Sequence, residues 1–263
     1  MARPRNSQEK LKLQLRTIAL MNVLRLRVGA ENPSQFSEWV NQKSEHLGWP
    51  DMKGSNKWYK YFRGDIGQDP LRVLKLLREL FPDVFSIFYD GPDRIWTALW
   101  SDDSDELWQI CSYQDIAYGC QPDNETIELV GREPFFQDSA YNFECSLLTH
   151  RSLGQALDLR DLSESIALYR IHMDINKKTR TDETAPYRCV KLCLDSEEIT
   201  GTLINLGVYD YVKDHLTNVE IGRLESERCY RKAIGNINIM TYADNPFSAH
   251  TVDQIMSQLH IGV

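Results

Sequence analysis

Apolar residues between positions 8 and 28 fall at Leu11, Leu13, Leu15, Ile18, Leu20, Met21, Val23, Leu24, Leu26 and Val28, on most sides of one predicted helix. A stripe this broad needs more than one neighbour. The helix is therefore either the centre of a core or a dimerisation helix whose second side is covered by another protomer. Lys10, Lys12, Arg16, Arg25 and Arg27 line what remains of its surface. Asn32 followed by Pro33 starts a second helix, because an N-cap oxygen satisfies an orphan amide and a proline at the first position has no amide to lose. Phe36, Trp39 and Val40 supply its buried face, and Gly48 and Pro50 stop it. Ser55 is placed to cap a short helix running to Arg63 and ending at Gly64, with Trp58, Tyr61 and Phe62 inward. Asp69 and Pro70 repeat the start signal for a fourth helix carrying Leu74, Leu77 and Phe81, which Pro82 ends.

Gly91 and Pro92 then mark a turn, a short helix is expected from Ile95 to Trp100, and the acidic run Asp102, Asp103, Ser104, Asp105, Glu106 interrupts the pattern. A domain boundary is expected there, giving a module at 1–101 and a second domain at 102–263. Trp96, Trp100 and Trp108 lie around this boundary and are expected to be core aromatics. Downstream, Thr126 to Val130 reads as a strand, while Leu159, Leu162, Ile166, Tyr169 and Met173 follow helical spacing across 152–175. The polar stretch from Lys177 to Pro186 reads as a loop. Val190, Leu192 and Leu194 alternate as in a strand, and Asp195 with Glu198 has the spacing of a capping box. Helices are expected at 196–216, 220–233 and 249–259, the last with Val252, Ile255, Met256 and Leu259 inward, and Ile237 and Ile239 alternate like a short strand. The fold class is mainly α with minor β: an N-terminal helical bundle followed by a mostly helical α+β domain.

Charge separates these two parts. Residues 1–80 hold fifteen Lys and Arg against eight Asp and Glu, a net of +7, so the other 183 residues carry −15 to reach the overall −8. An asymmetry of this kind points to a polyanion-facing module, nucleic acid first, joined to an acidic globule. The cysteines at 111, 120, 145, 189, 193 and 229 are scattered and read as reduced thiols, which suits the cytoplasm. Cys189 and Cys193 lack the paired short spacings of a zinc site. The start Met1-Ala2-Arg3-Pro4-Arg5 is basic, but Lys10, Lys12, Gln14 and Arg16 interrupt the apolar residues that follow, which excludes a secretory core. No run approaches the length of a membrane span, so no membrane partner is expected.

On the third predicted helix, about 100° per residue puts Tyr61 and Phe62 within about 60° of Trp58 and leaves Asn56, Lys60 and Arg63 near the opposite pole, flanked by Lys57 and Tyr59. That polar face suits a major groove, since Asn pairs with adenine, Arg with guanine and Lys with phosphate. Arg3 and Arg5 ahead of the first helix suit an arm reaching a minor groove. Ser55 through Phe81, a short helix with Trp58, then Arg63-Gly64, Pro70, Leu74 and Leu77, resembles the second half of a phage-repressor type helix-turn-helix domain. The resemblance covers residues 32–81 and implies double-stranded DNA as partner, with a recognition helix before the glycine. It departs from that pattern at Gln42 to Gly54, which is longer than the tight turn between the motif helices.

A P-loop, a dinucleotide-binding glycine fingerprint, a His-Glu zinc motif and a Gly-x-Ser-x-Gly elbow are all missing from the chain. His46, His150, His172, His215, His250 and His260 stand far apart, with His150-Arg151 the pair closest to a candidate site. Asp158 and Asp161 share a helix face, but with Arg160 between them they read as a solvated surface. No catalytic residue, metal or cofactor is assigned. The pattern predicts a DNA-binding regulator of bacterial or mobile-element type, whose acidic C-terminal domain binds a partner, a signal or a second copy. The alternatives are an effector enzyme or toxin active through the C-terminal domain, and a protein-interaction adaptor.

Overall fold

A computed structural model describes residues 7–49, 56–65, 70–112, 133–179 and 187–226. All regular structure among them is helical: α1 (Ser7–Arg27), α2 (Pro33–Ser44), α3 (Lys57–Phe62), α4 (Pro70–Arg78), α5 (Val84–Tyr89), α6 (Ile95–Trp100), α7 (Ser104–Trp108), α8 (Glu133–Ser152), α9 (Leu159–Thr179), α10 (Tyr187–Leu194), α11 (Glu197–Leu206) and α12 (Tyr209–Ser226). Single 3-10 turns occur at Glu45–Leu47 and Pro92–Arg94. The protein is mainly α. The strands expected at 126–130 and at Ile237 and Ile239, and the helix expected at 249–259, lie outside the described residues. The chain forms two compact units, one of Met1–Thr97 with Gly201–Tyr209 and one of Ala98–Thr200 with Asp210–Val263.

In the N-terminal unit, α1 packs against α3 and α5, α2 against α3, and α4 against α5. The core is built from Leu20, Met21 and Leu24 of α1, Phe36 and Val40 of α2, Trp58, Leu74 and Leu77, and Val84, Ile87 and Phe88 of α5. Phe36 meets Trp58 edge to face at 5.7 Å and Phe62 at 5.6 Å, the geometry that aromatic quadrupoles favour. The start of α2 is as the local signal predicts: the Asn32 side chain accepts from the amides of Ser34 (3.0 Å) and Gln35 (3.1 Å). Ser55 and Asp69, the other expected caps, lie outside the described residues.

Two glycine turns sit on successive turns of one stripe of α1, made of Gln14, Ile18 and Asn22. Gly64, at φ +87°, comes so close that a Cβ there would stand 2.3 Å from Gln14 Cγ and 3.0 Å from its carbonyl oxygen. Gly207, at φ +74°, comes so close that a Cβ would stand 2.9 Å from Ile18 Cγ2. Beside it, Asn22 Nδ2 donates to the Leu206 carbonyl (3.2 Å) at the end of α11 as well as to the Ile18 carbonyl (3.1 Å). Part of the second side of α1 is thus covered by residues 201–209 of the same chain.

In the second unit α9 lies against α7, α8 and α10, and every residue from Leu162 to Tyr169 is buried. Residues 187–194 are helical, not a strand. Tyr187, Val190, Cys193 and Leu194 follow helical spacing, Cys189 and Leu192 are buried as well, and Lys191 pairs with Asp195 one turn on. Alternation in so short an apolar run does not distinguish the two periods. The capping box at Asp195 and Glu198 is also corrected: Ser196 stands before α11, and its hydroxyl accepts from the Ile199 amide (3.5 Å) and donates to Glu198 (2.6 Å). The helix expected at 196–216 breaks at Gly207, and α12 runs unbroken from Tyr209 past the expected gap at 216–220. The helix expected at 152–175 begins later, at Leu159, because Asp158 and Asp161 cap its first turn reciprocally: Asp158 Oδ1 accepts from the Asp161 amide (3.1 Å) and Asp161 Oδ2 from the Asp158 amide (2.9 Å). These two carboxylates are therefore capping groups.

The glycine seats are testable by urea denaturation of the full chain. The left-handed backbone alone costs an alanine roughly 1–2 kcal/mol. Gly64→Ala and Gly207→Ala are each expected to lose more than that, because the methyl group also collides with α1. Gly64→Ala is expected to be the worse of the two, since it meets backbone.

Candidate nucleic-acid interface

The site is built on α3, a helix of six residues. Trp58 is completely buried, and Tyr61 and Phe62 are half-buried beside it, so the inner face is the one that apolar spacing predicts. Asn56, Lys57, Tyr59, Lys60 and Arg63 are exposed. Asn56 occupies the N-cap position, but its side chain makes no capping bond. Among the described residues, none of these five side chains forms an ion pair or a side-chain hydrogen bond. The structure therefore brings together every site residue expected on this helix. Arg3 and Arg5 lie outside the described residues.

The arginines of α1 have a different fate. Arg25 donates to Asn22 Oδ1 (3.2 Å) and to the carbonyls of Ala30 (3.1 Å) and Glu31 (3.0 Å), closing the turn after the helix. Arg27 pairs with Asp83 at 2.7 Å. The Arg16 guanidinium lies 5.8 Å from the centre of the Tyr89 ring, and burial pulls its pKa below the ordinary arginine value. These three arginines hold the unit together. Sequence reasoning missed a second exposed basic set, Arg72, Lys75 and Arg78 on α4. Its signal, a cation at every third residue opposite Leu74 and Leu77, is present in the sequence.

The second unit contains buried polar groups. Glu164 accepts from the amide and the hydroxyl of Ser112, both at 2.6 Å. Burial outweighs these two bonds and holds its carboxyl above the usual range. Tyr169 donates its hydroxyl to Glu220 (2.7 Å), and Arg223 grips the same carboxylate through Nε (2.7 Å) and Nη2 (2.6 Å). The Tyr169 hydroxyl is pushed far up by burial and by Glu220. Cys189 and Cys193 stand one turn apart on α10. Burial pushes the Cys189 thiol up to about 12 and raises Cys193 further, opposite to the shift that activates a nucleophilic thiol. A cavity of about 270 Å³, lined by Leu99, Tyr169, Met173, His215, Leu216 and Val219 together with Arg170, Asp102 and Asp174, opens in this unit. Arg170 donates to the carbonyls of Ala98 (2.9 Å) and Ser101 at the end of α6, so its guanidinium already serves the fold. His215 stacks on Tyr211 at 5.5 Å. At the end of α8 His150 is half-exposed and Arg151 exposed. No group of three or more His, Cys, Asp or Glu suited to a metal occurs among the described residues, and no described helix is long and apolar enough to cross a membrane.

Two substitutions probe this arrangement. Trp58→Ala is expected to destabilise the full chain by about 3–5 kcal/mol, read from a urea melt, because the helix loses its one fully buried anchor. Because the Glu164 pKa is raised on folding, its contribution to stability is present below its ordinary value of 4.5 and is lost as pH rises through the folded value. Glu164→Gln keeps an acceptor for Ser112 without a charge. It is expected to lose less melting temperature than the wild type over that rise, and parallel curves for the two proteins would show that the carboxyl is not raised. No family model, curated protein or solved structure matches the chain.

Proposed function

We propose that this protein is a DNA-binding regulator of bacterial or mobile-element type, whose α3 enters the major groove of double-stranded DNA and whose C-terminal unit takes a partner, a signal or a second copy. The observation that carries this reading is the contrast between two sets of cations. The arginines of α1, Arg16, Arg25 and Arg27, are held by contacts inside the unit, whereas Lys57, Lys60 and Arg63 on α3 are exposed beside Asn56 and Tyr59 and have no partner among the described residues. Asn56, Lys60 and Arg63 succeed one another at helical spacing along one stripe, seven residue steps or about 10 Å long at about 1.5 Å per step, which spans about three base-pair steps. Asn and Arg are the side chains that grip adenine and guanine edges in two places at once, and Lys supplies phosphate contact.

The regulatory half of the reading is supported by the cavity in the second unit. Its volume of about 270 Å³ lies just below the usual range for ligand pockets, about 300–1,000 Å³, so it suits a small signal.

Fluorescence anisotropy of the full chain with mixed duplex DNA across a salt series tests the proposal. Binding with a steep salt slope is expected. Lys60→Ala is expected to flatten the slope by about 1, and Arg63→Ala to cost about 1–3 kcal/mol of affinity, each with an unchanged thermal melt. Undiminished affinity in both variants would remove α3 from the interface, and no binding at low salt would remove DNA from the reading.

A further inference from the structure

We infer that α4 is a second nucleic-acid contact, in which Arg72, Lys75 and Arg78 hold the sugar-phosphate backbone beside the groove that α3 enters. The inference rests on the DNA-binding reading and extends it to a helix with no part in that reading. α4 is fixed from within, since Leu74 and Leu77 are fully buried and Val73 and Leu76 half-buried. With that face in the core, Arg72, Lys75 and Arg78 fall within an arc of about 120° on the outside and are all exposed. They extend over about 9 Å of helix, or two to three nucleotides of axial rise along one strand.

None of the three forms an ion pair or a hydrogen bond among the described residues; Arg78 lies over the Phe85 ring at 5.9 Å. The carboxylate next to Arg78 in sequence, Glu79, accepts from Trp49 Nε1 at 2.7 Å and so is drawn away to the tryptophan. α4 shares one core cluster with α3, Leu74 and Leu77 with Trp58, and Tyr61, Val73 and Leu76 pack against it; burial and Asp65 raise the pKa of the Tyr61 hydroxyl while the charge of Arg72 lowers it. Asp65 is the acid that offsets part of this positive field, and it stands just after Gly64, beyond the three cations of α3.

The kind of partner follows from what the row lacks. A helix that lies in a membrane surface needs a continuous apolar face to insert. The apolar face of α4 is inside the core, with Leu71 the large apolar side chain left exposed on this helix, at 45 %. Cations three residues apart, with a single exposed leucine among them, suit evenly spaced phosphates better than an apolar surface. The neighbouring Asn56 and Tyr59 add hydrogen-bonding groups that a lipid surface would not require.

The test is the full chain carrying Arg72→Gln, Lys75→Gln and Arg78→Gln together, measured by anisotropy with mixed duplex DNA across a salt series, beside Lys60→Ala and the wild type. Each lost phosphate contact flattens the log–log salt slope by about 0.9, so the triple variant is expected to be flatter by about 2–3 with its preference among DNA sequences unchanged. If the triple variant melts early, Arg72→Gln with Lys75→Gln leaves the Phe85 contact in place and is expected to flatten the slope by about 2. A triple variant with the wild-type slope overturns the inference, and if Lys60→Ala still flattens it, the α3 reading stands alone. A flatter triple variant alongside an unaltered Lys60→Ala upholds α4 and removes α3. Wild-type protein that binds phosphatidylserine vesicles more tightly than DNA, or that binds no DNA at low salt, overturns α4 as a nucleic-acid contact.

Discussion

The helix α3 has six residues, and a helix needs roughly 12–15 to be even marginally stable alone in water, so its existence depends on what its inner face touches. That support is the burial of Trp58 against Phe36 and the close approach of Gly64 to Gln14 of α1. Once both are in place the helical period leaves no choice: Asn56, Lys57, Tyr59, Lys60 and Arg63 must point away from the core. The candidate interface is thus a consequence of core packing, and its rigidity is that of the core.

Charge shows how far composition is from a surface. The N-terminal excess of positive residues is spread over α1, α3 and α4, yet those residues do different work. Arg25 satisfies carbonyls left open after α1, where a basic side chain also meets the negative end of the helix dipole. Arg27 holds Asp83, and Arg16 lies against Tyr89 with part of its hydration lost. An arginine in such a contact would have to break it before meeting a phosphate. Among the described residues Lys57, Lys60, Arg63, Arg72 and Lys75 make no such contact, and of the α4 cations Arg78 alone lies over a ring, that of Phe85.

The second unit is organised around polar groups that cannot be left unpaired. α9 buries Ser163, Glu164 and Ser165 in succession. Ser163 and Ser165 donate to carbonyls one turn back, at 3.0 and 2.8 Å, while Glu164 takes both donors of Ser112. The buried trio of Tyr169, Glu220 and Arg223 closes on itself in the same way. Removing one member of such a set strands the others without water, so these residues resist piecemeal change whatever the unit binds.

Local rules read directly from the chain account for the start of α2 at Asn32-Pro33, the inner face of α3, the stop at Gly64 and the amphipathic spacing of α4, because each depends on residues within a turn or two of one another. They failed at α10, where the alternation of Val190, Leu192 and Leu194 concealed Tyr187, Cys189 and Cys193 on a helix buried nearly all round. They failed again at Gly207, whose break is coupled to packing on Ile18, a residue far away in the sequence. Residue types and their spacing determined which side chains were able to form a basic face. Only the tertiary structure decided which cations stay available, because the contacts that consume the others, such as Arg27 with Asp83, join positions that no local period relates.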